Sequence, residues 1–209
     1  MRRPRVAPEL PLTVALNGRR YETAMLLSEA AIQDQVDKMG RLLAARYERE
    51  GSVHVLTVMT GGDPYSRDLR DVMRHATSLD TLRMSSDQIS MSSYALYRSS
   101  GVIRDQGGMK QDIAGKNVLV VEGIIASGLT LSWLIKNLAD RGPKSIEVAS
   151  AFMTAPDDEI KSLLGGLSIN SCFDLDADPT DILVGYGLDH MQEFRDYGGL
   201  YRLSPLAAG

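Results

Sequence analysis

The feature that constrains this chain most is a junction of strand, loop and helix in its second half. The run NVLVVE at 117–122 is apolar and rich in β-branched residues, as in a strand buried on both faces of a parallel sheet. Small residues follow at 123–128, and 130–141 has apolar positions at helical spacing until a Gly-Pro pair ends it. The junction therefore predicts an α/β fold with a candidate anion site in the loop.

The same alternation of strand and helix recurs along the chain. Ser28 can cap a helix to about residue 50, VHVLTVMT at 53–60 predicts a buried strand, and a Gly-Gly-Asp-Pro turn starts a second helix reaching about residue 75. Further strands are predicted at 79–84, 145–152, 169–173 and 182–186. The fold class is thus α/β, with a mostly parallel twisted sheet, flanking helices and a single domain over 1–209.

Three segments depart from this alternation. Residues 1–25 begin with several prolines and are interpreted as an N-terminal arm, and 85–112 is rich in Ser and Gly, as in a functional flap. The stretch DLDADPTD at 174–181 lacks the spacing of a calcium loop and is interpreted as a solvated turn.

Composition excludes several classes of protein. A net charge of −4 argues against binding of nucleic acid by neutralisation of phosphates. The single Cys172 rules out an internal disulfide and suits a reducing cytoplasm. No apolar run has the length of a membrane span, and the N-terminus lacks the apolar core of a signal peptide. We therefore expect a cytoplasmic protein without nucleic-acid or membrane partners.

The loop at 123–128 has the composition of a phosphate site. In open parallel sheets, ligands bind beyond the carboxyl ends of the strands. Small residues let backbone N–H groups converge on one point, the helix adds its positive end, and the hydroxyls of Ser127 and Thr130 can donate. A tight turn without a ligand explains the same residues, so both interpretations stay open on this evidence.

Two long stretches resemble one known family. IAGKNVLVVEGIIASGLTL at 113–131 resembles the phosphoribosyl-diphosphate signature of hypoxanthine-guanine phosphoribosyltransferases, and VGYGLDHMQEFRD at 184–196 resembles their C-terminal segment. Shorter matches occur in the same order, at 58–69, 92–94 and 144–152. The resemblance covers about residues 28–203. It implies a type I phosphoribosyltransferase fold with a flexible flap and a small hood at 174–209.

The resemblance implies a transfer at the anomeric carbon of a sugar. A purine nitrogen displaces pyrophosphate through an oxocarbenium-like state, with help from Mg²⁺, and catalysis is mostly positioning and stabilisation of charge. Retained catalytic positions are Glu122, Tyr94 and Asp189. Phosphate would be bound by Ala126, Ser127, Gly128, Leu129 and Thr130; pyrophosphate by Thr60, Gly61 and Arg195; and the base by Thr154, Ile182, Leu183 and Asp189.

Several positions depart from the family pattern. Gly123 replaces the second acid that holds the ribose, and Ala126 stands where the family has an aspartate near the purine N7. Thr60 replaces one cation, either Thr154 or Ala155 replaces a second, and Ile182 replaces an aromatic residue that stacks on the base. Loss of a general acid or base typically costs about 10²–10⁴-fold in rate. The need for Mg²⁺ stays open, because Gly123 removes one acid while Asp189 remains.

Three functions fit this mixture. The first is a repurposed glycosyltransferase, which moves a sugar from a phosphorylated or nucleotide-diphosphate donor, such as a guanine nucleotide, to a sulfur or nitrogen acceptor. The second is a hypoxanthine-guanine phosphoribosyltransferase of low or altered activity. The third is a non-catalytic nucleotide-binding protein. We favour the first on the sequence alone, and the resemblance implies a homodimer or homotetramer.

Overall fold

The structure is a computed structural model that describes residues 9–77, 81–90, 109–154, 157–178 and 181–206. Within these ranges the strands are β1 (Thr13–Leu16), β2 (Arg19–Leu27), β3 (Ser52–Met59), β4 (Arg83–Ser90), β5 (Asn117–Ile125), β6 (Ser145–Met153), β7 (Ile169–Asp174), β8 (Ile182–Val184) and β9 (Leu200–Pro205). The helices are α1 (Glu29–Glu50), α2 (Asp63–Ala76), α3 (Leu129–Ala139) and α4 (Asp157–Leu163).

A parallel sheet of five strands, in the order β4-β3-β5-β6-β7, forms the centre of the fold. Alternate residues of β5 face opposite sides of this sheet. Leu119 and Val121 join the cluster beneath α1 and α2, whereas Val118 and Val120 join the cluster beneath α3 and α4. Burial on both faces explains the continuous apolar run of β5, and it confirms the predicted α/β class with flanking helices.

The capping residues fix α1 where the sequence predicts it. The Ser28 hydroxyl accepts a hydrogen bond from the Ala31 N–H, and Gly51 ends the helix in the left-handed conformation, with φ of 73°. Its buried face includes Ile32, Val36 and Leu43, which recur at helical spacing. Both boundaries therefore follow from local chemistry.

A second, antiparallel sheet combines both ends of the chain and forms the hood. Its strand order is β1-β2-β9-β8. The N-terminal segment differs from the predicted arm at 1–25, because residues 13–16 and 19–27 form strands. The predicted strand at 182–186 belongs to this sheet and not to the parallel one, since β8 pairs with β9. Tyr21, Val184, Tyr201 and Leu203 form the small buried core that joins these strands.

One boundary lies later than the sequence predicts. The strand expected at 79–84 spans Arg83–Ser90, so the start of the predicted flap at 85–112 is a strand. The sequence does not predict this strand, because its residues are mostly polar. Within it, the carboxylate of buried Asp87 accepts hydrogen bonds from the N–H groups of Lys110 and Gln111. Residues 91–108 of that flap lie outside the described residues. In the described part of the chain, no helix combines the length and apolar character of a membrane span.

Candidate functional site

The loop after β5 forms a small cavity at the end of the parallel sheet. Gly128 caps α3 with φ of 67°, and a Cβ at this position would lie 2.7 Å from the Cδ1 atom of Ile160. Glycine thus permits both the left-handed turn and the close approach of α4. The resulting cavity of about 280 Å³, called the phosphate cavity below, is lined by Val58, Met59, Glu122, Ile124, Ile125, Ala126, Ser127, Gly128, Thr130 and Leu131.

Glu122 contributes the carboxyl group of the phosphate cavity. Its Oε1 atom accepts a hydrogen bond from the Gly123 N–H at 2.8 Å. Burial raises the pKa of Glu122 to about 7, against the opposing effect of hydrogen bonds from the N–H groups of Gly123 and Ile124. The carboxyl group therefore changes charge near neutral pH.

A larger space lies between the parallel sheet and the hood. This hood cleft has a volume of about 530 Å³ and is lined by Thr60, Gly61, Ile124, Ala126, Thr154, Asp178, Asp181, Ile182, Leu183, Leu188, Asp189 and Arg195. Ile124 and Ala126 line both spaces, so the hood cleft and the phosphate cavity adjoin. A ligand with a phosphate at one end and a ring at the other can therefore span them.

Two acids of the hood cleft, Asp189 and Asp181, each lie beside an arginine. The Nη2 atom of Arg195 lies 2.5 Å from Oδ1 of Asp189, and its Nη1 donates to the Gly187 carbonyl at 2.7 Å. Oδ2 of Asp181 lies 3.1 Å from Nε of Arg202 and also accepts from the Asp178 N–H at 3.0 Å. These contacts hold the carboxylates of Asp181 and Asp189 in place in the cleft.

Three chain segments meet at the carbonyl group of Gly61. A Cβ added at Gly123 would lie 2.6 Å from this oxygen, and one added at Gly187 would lie 2.5 Å from it. Atoms at these distances overlap, and the neighbour is backbone, so a side chain at either position requires the loop after β3 to move. An acid at position 123, as the resemblance would have it, has no room in this arrangement.

Comparison with known proteins decides the family. Residues 29–165 match the phosphoribosyl transferase domain family. A hypoxanthine-guanine phosphoribosyltransferase of Mycobacterium avium is 32% identical over 187 residues, which cover 87% of this chain and 86% of that protein. The chain belongs to the hypoxanthine-guanine phosphoribosyltransferase family.

A further relative agrees with this assignment, and a solved structure agrees with the fold. A hypoxanthine phosphoribosyltransferase of Escherichia coli K12 is 30% identical over 84% of this chain and 92% of that protein. The crystal structure of a hypoxanthine phosphoribosyltransferase from Staphylococcus aureus superposes with a TM-score of 0.67, over 87% of this chain and 93% of that one, at 24% identity. The comparisons favour the second functional hypothesis over the first, because the relatives named here are hypoxanthine-guanine and hypoxanthine phosphoribosyltransferases.

The structure brings most of the predicted site residues together. The phosphate cavity takes in Glu122, Ala126, Ser127, Gly128 and Thr130, and the hood cleft takes in Thr60, Gly61, Thr154, Ile182, Leu183, Asp189 and Arg195. Leu129 lines neither space, and its side chain is 66% exposed, because it opens α3 on the outer side. Tyr94 lies outside the described residues.

Four residues of the hood cleft are additions to the sequence prediction: Ile124, Asp178, Asp181 and Leu188. The sequence predicts a solvated turn at 174–181 within the hood segment, whereas two acids of this stretch, Asp178 and Asp181, line the cleft. Their acidic repeat was visible in the sequence. Its position beside the site was not, because it depends on how β8 pairs with β9.

The family implies Mg²⁺, and the available carboxylates can be compared with what this ion requires. Mg²⁺ usually binds one or two protein carboxylates together with substrate phosphates. Within the described residues, no three His, Cys, Asp or Glu side chains are grouped to hold a metal ion. Asp189 is paired with Arg195, and the Glu122 carboxylate accepts a hydrogen bond from the Gly123 N–H. Because one or two carboxylates suffice for this ion, Glu122 and Asp189 are the residues that would hold it beside the phosphates of a substrate, where it would neutralise part of their charge.

Proposed function

We propose that this protein transfers a phosphoribosyl group from phosphoribosyl diphosphate to a purine base, with hypoxanthine and guanine as the first acceptors to test. The observation that carries the proposal is the contact between the phosphate cavity and the hood cleft through Ile124 and Ala126. A phosphoribosyl group fits one space while a base occupies the other. The relatives described above are named as phosphoribosyltransferases for hypoxanthine or for hypoxanthine and guanine.

Each part of the donor has a partner in this arrangement. The 5′-phosphate is held by the N–H groups at the start of α3 and by the hydroxyls of Ser127 and Thr130, where the positive end of the helix helps. The ribose hydroxyls face Glu122. The pyrophosphate lies towards Gly61 and Arg195, whose guanidinium group stabilises the charge that develops as it leaves.

The base lies between apolar side chains of the hood, Ile182, Leu183 and Leu188. The bond from the anomeric carbon to the pyrophosphate oxygen breaks as the bond to the purine nitrogen forms. The proton of that nitrogen passes to water, because Ala126 offers only a methyl group at the boundary of the two spaces. We therefore expect slow turnover, about 10²–10⁴-fold below that of an otherwise equal site with an acid there.

Turnover with purified protein tests the proposal directly. Phosphoribosyl diphosphate, Mg²⁺ and hypoxanthine or guanine should give nucleoside monophosphate and pyrophosphate in equal amounts, measured by chromatography. Arg195→Gln should reduce the rate, whereas Arg41→Gln should leave it unchanged. Both arginines are paired with an aspartate, but Arg41 pairs with Asp37 on the exposed face of α1. Absence of nucleotide with every purine base would contradict the proposal.

A second candidate follows from the methyl group of Ala126. If the acceptor is a thiolate or another nucleophile that needs no base, the missing acid costs nothing. The protein would then transfer a sugar from a nucleotide-diphosphate donor to a sulfur or nitrogen acceptor. If the protein forms product from guanosine-diphosphate sugars and thiols but none from phosphoribosyl diphosphate and purines, this second function is correct and the first proposal is wrong. Tight nucleotide binding without turnover of either set would instead indicate a non-catalytic binding protein.

A further inference from the structure

The loop between β8 and β9, residues 185–197, is called the hood loop below and carries part of the hood cleft. Its residues Leu188, Asp189 and Arg195 line the cleft. The Gly187 N–H donates a hydrogen bond to the Arg195 carbonyl at 3.0 Å, and the Gly187 carbonyl accepts one from Nη1 of Arg195 at 2.7 Å. Arg195 is therefore bound twice to Gly187, and the position of its guanidinium group follows that of Gly187.

Tyr186, directly before Gly187, has an unusual backbone conformation. Its φ is 47°, in the left-handed region that a residue with a Cβ rarely adopts. Such a conformation persists only where the surrounding contacts hold it. Tyr186 is only 5% exposed, and its N–H donates to the Tyr197 carbonyl at 2.7 Å. The contacts of Tyr186 therefore decide the direction in which the chain enters Gly187.

Two contacts anchor the Tyr186 side chain to the body of the fold. Its hydroxyl donates to Oδ2 of Asp68 on α2 at 2.9 Å, and Nε2 of Gln33 on α1 donates to the same oxygen at 3.0 Å. Its ring packs edge-on against Phe152 of β6, with the ring centroids 6.2 Å apart. Burial raises the pKa of Tyr186 well above its ordinary value, so the phenol keeps the proton that it donates to Asp68.

Helix α2 follows directly on the loop after β3, which faces the hood loop across the cleft. Gly61 of that loop lines the cleft. A Cβ added at Gly187 would lie 2.5 Å from the Gly61 carbonyl oxygen and 2.9 Å from Cδ of Pro64 in α2. Because the two loops approach this closely, a displacement of the hood loop changes the separation of Gly61 from Arg195. A hydrogen bond from the hood loop to α2 opposes that displacement.

We propose that Tyr186 is a positioning residue for binding of the pyrophosphate group of the donor. Its hydrogen bond to Asp68 keeps Arg195 at the distance from Gly61 at which both contact this group. Neither Tyr186 nor Asp68 lines the hood cleft or the phosphate cavity, so both act through other residues. The inference rests on the proposed function for the place of the pyrophosphate.

Binding of the donor, compared with binding of a fragment of it, tests this without turnover. Phosphoribosyl diphosphate has the pyrophosphate group, whereas ribose 5-phosphate has only the parts placed in the phosphate cavity. In calorimetry, Tyr186→Phe should raise the dissociation constant of the diphosphate about tenfold and leave that of ribose 5-phosphate unchanged. Tyr47→Phe is the matched control and should change neither constant. The Tyr47 hydroxyl also donates to a buried carboxylate, that of Glu147 at 2.6 Å, but Tyr47 lines neither space.

Further variants show whether Tyr186 acts through Asp68 and Arg195. Asp68→Asn keeps an acceptor for the phenol and should bind the diphosphate nearly as the parent does, whereas Asp68→Ala should resemble Tyr186→Phe. In the Arg195→Gln background, Tyr186→Phe should cause no further loss. An unchanged constant in Tyr186→Phe, equal losses for both ligands, additive losses with Arg195→Gln, or no binding of the diphosphate by the parent would each overturn the inference. Failure of the proposed function appears separately, as absence of nucleotide with every purine base from a protein that binds the diphosphate.

Discussion

The phosphate cavity and the hood cleft are built in different ways. Most of the cavity comes from one continuous stretch, 122–131, and its means of binding an anion are backbone N–H groups, small residues and a helix end. The cleft instead collects side chains from six separate segments of both sheets. A site made of backbone keeps its chemistry when side chains change. A site made of side chains changes its ligand with each substitution, and three of the five departures from the family pattern, Thr60, Thr154 and Ile182, line the cleft alone.

The largest effect is expected where the two spaces meet. Ala126 is exposed and already has a Cβ, so Ala126→Asp adds a carboxylate without displacing backbone. If the proposed transfer is correct, this group can take the purine proton, and kcat with hypoxanthine or guanine should rise about 10²–10⁴-fold. The measurement is steady-state nucleotide formation, with Ala126→Asn as the control of similar size. If kcat of Ala126→Asp does not exceed that of Ala126→Asn, the missing acid at position 126 is not the cause of slow turnover.

An acid at position 123, three residues earlier in the same loop, should destabilise the fold. Gly123→Asp places a side chain against the Gly61 carbonyl and adds a carboxylate at a buried site. Overpacking and an unpaired charge together should lower the free energy of unfolding by about 3 kcal/mol or more. Urea denaturation measures this loss, and Ala126→Asp controls for the added charge. A Gly123→Asp variant as stable as the parent would show that the loop after β3 moves freely.

The difference between a site built from one stretch and a site built from several also explains which features could be predicted from the sequence. The parallel sheet, α1 and the phosphate loop were predicted because their signals are local: apolar runs, the Ser28 cap and the small residues before α3. The resemblance implied a hood at 174–209, but not that the N-terminal strands belong to it, because β2 pairs residues near the N-terminus with β9 near the C-terminus. Prolines at the start of the chain suggested an arm, and no local signal shows that pairing. Asp178 and Asp181 were missed as site residues for the same reason.

The charge state of Glu122 gives a pH-dependent test of the phosphate cavity. Its pKa rises from 4.5 to about 7 on folding, so between these values the folded protein binds more protons than the unfolded chain. Stability therefore falls as the pH rises through this window, by at most about 3 kcal/mol. Urea denaturation from pH 4.5 to 7.5 should show this fall in the parent and a flatter profile in Glu122→Gln. Parallel profiles would mean that Glu122 titrates normally and that its carboxyl group is more hydrated than the structure indicates.

The smallest effect is expected within the phosphate cavity itself. Ser127 contributes one hydroxyl to an anion site that also has the N–H groups at the start of α3, so Ser127→Ala should weaken binding of a nucleoside monophosphate only up to about tenfold. Ser132→Ala, further along α3, is the control, because the Ser132 hydroxyl donates to the Leu163 carbonyl and lines neither space. Calorimetry with inosine monophosphate compares the two. A loss of several hundredfold in Ser127→Ala would show that the cavity depends on side chains as much as the hood cleft does, and the distinction between the two regions would fail.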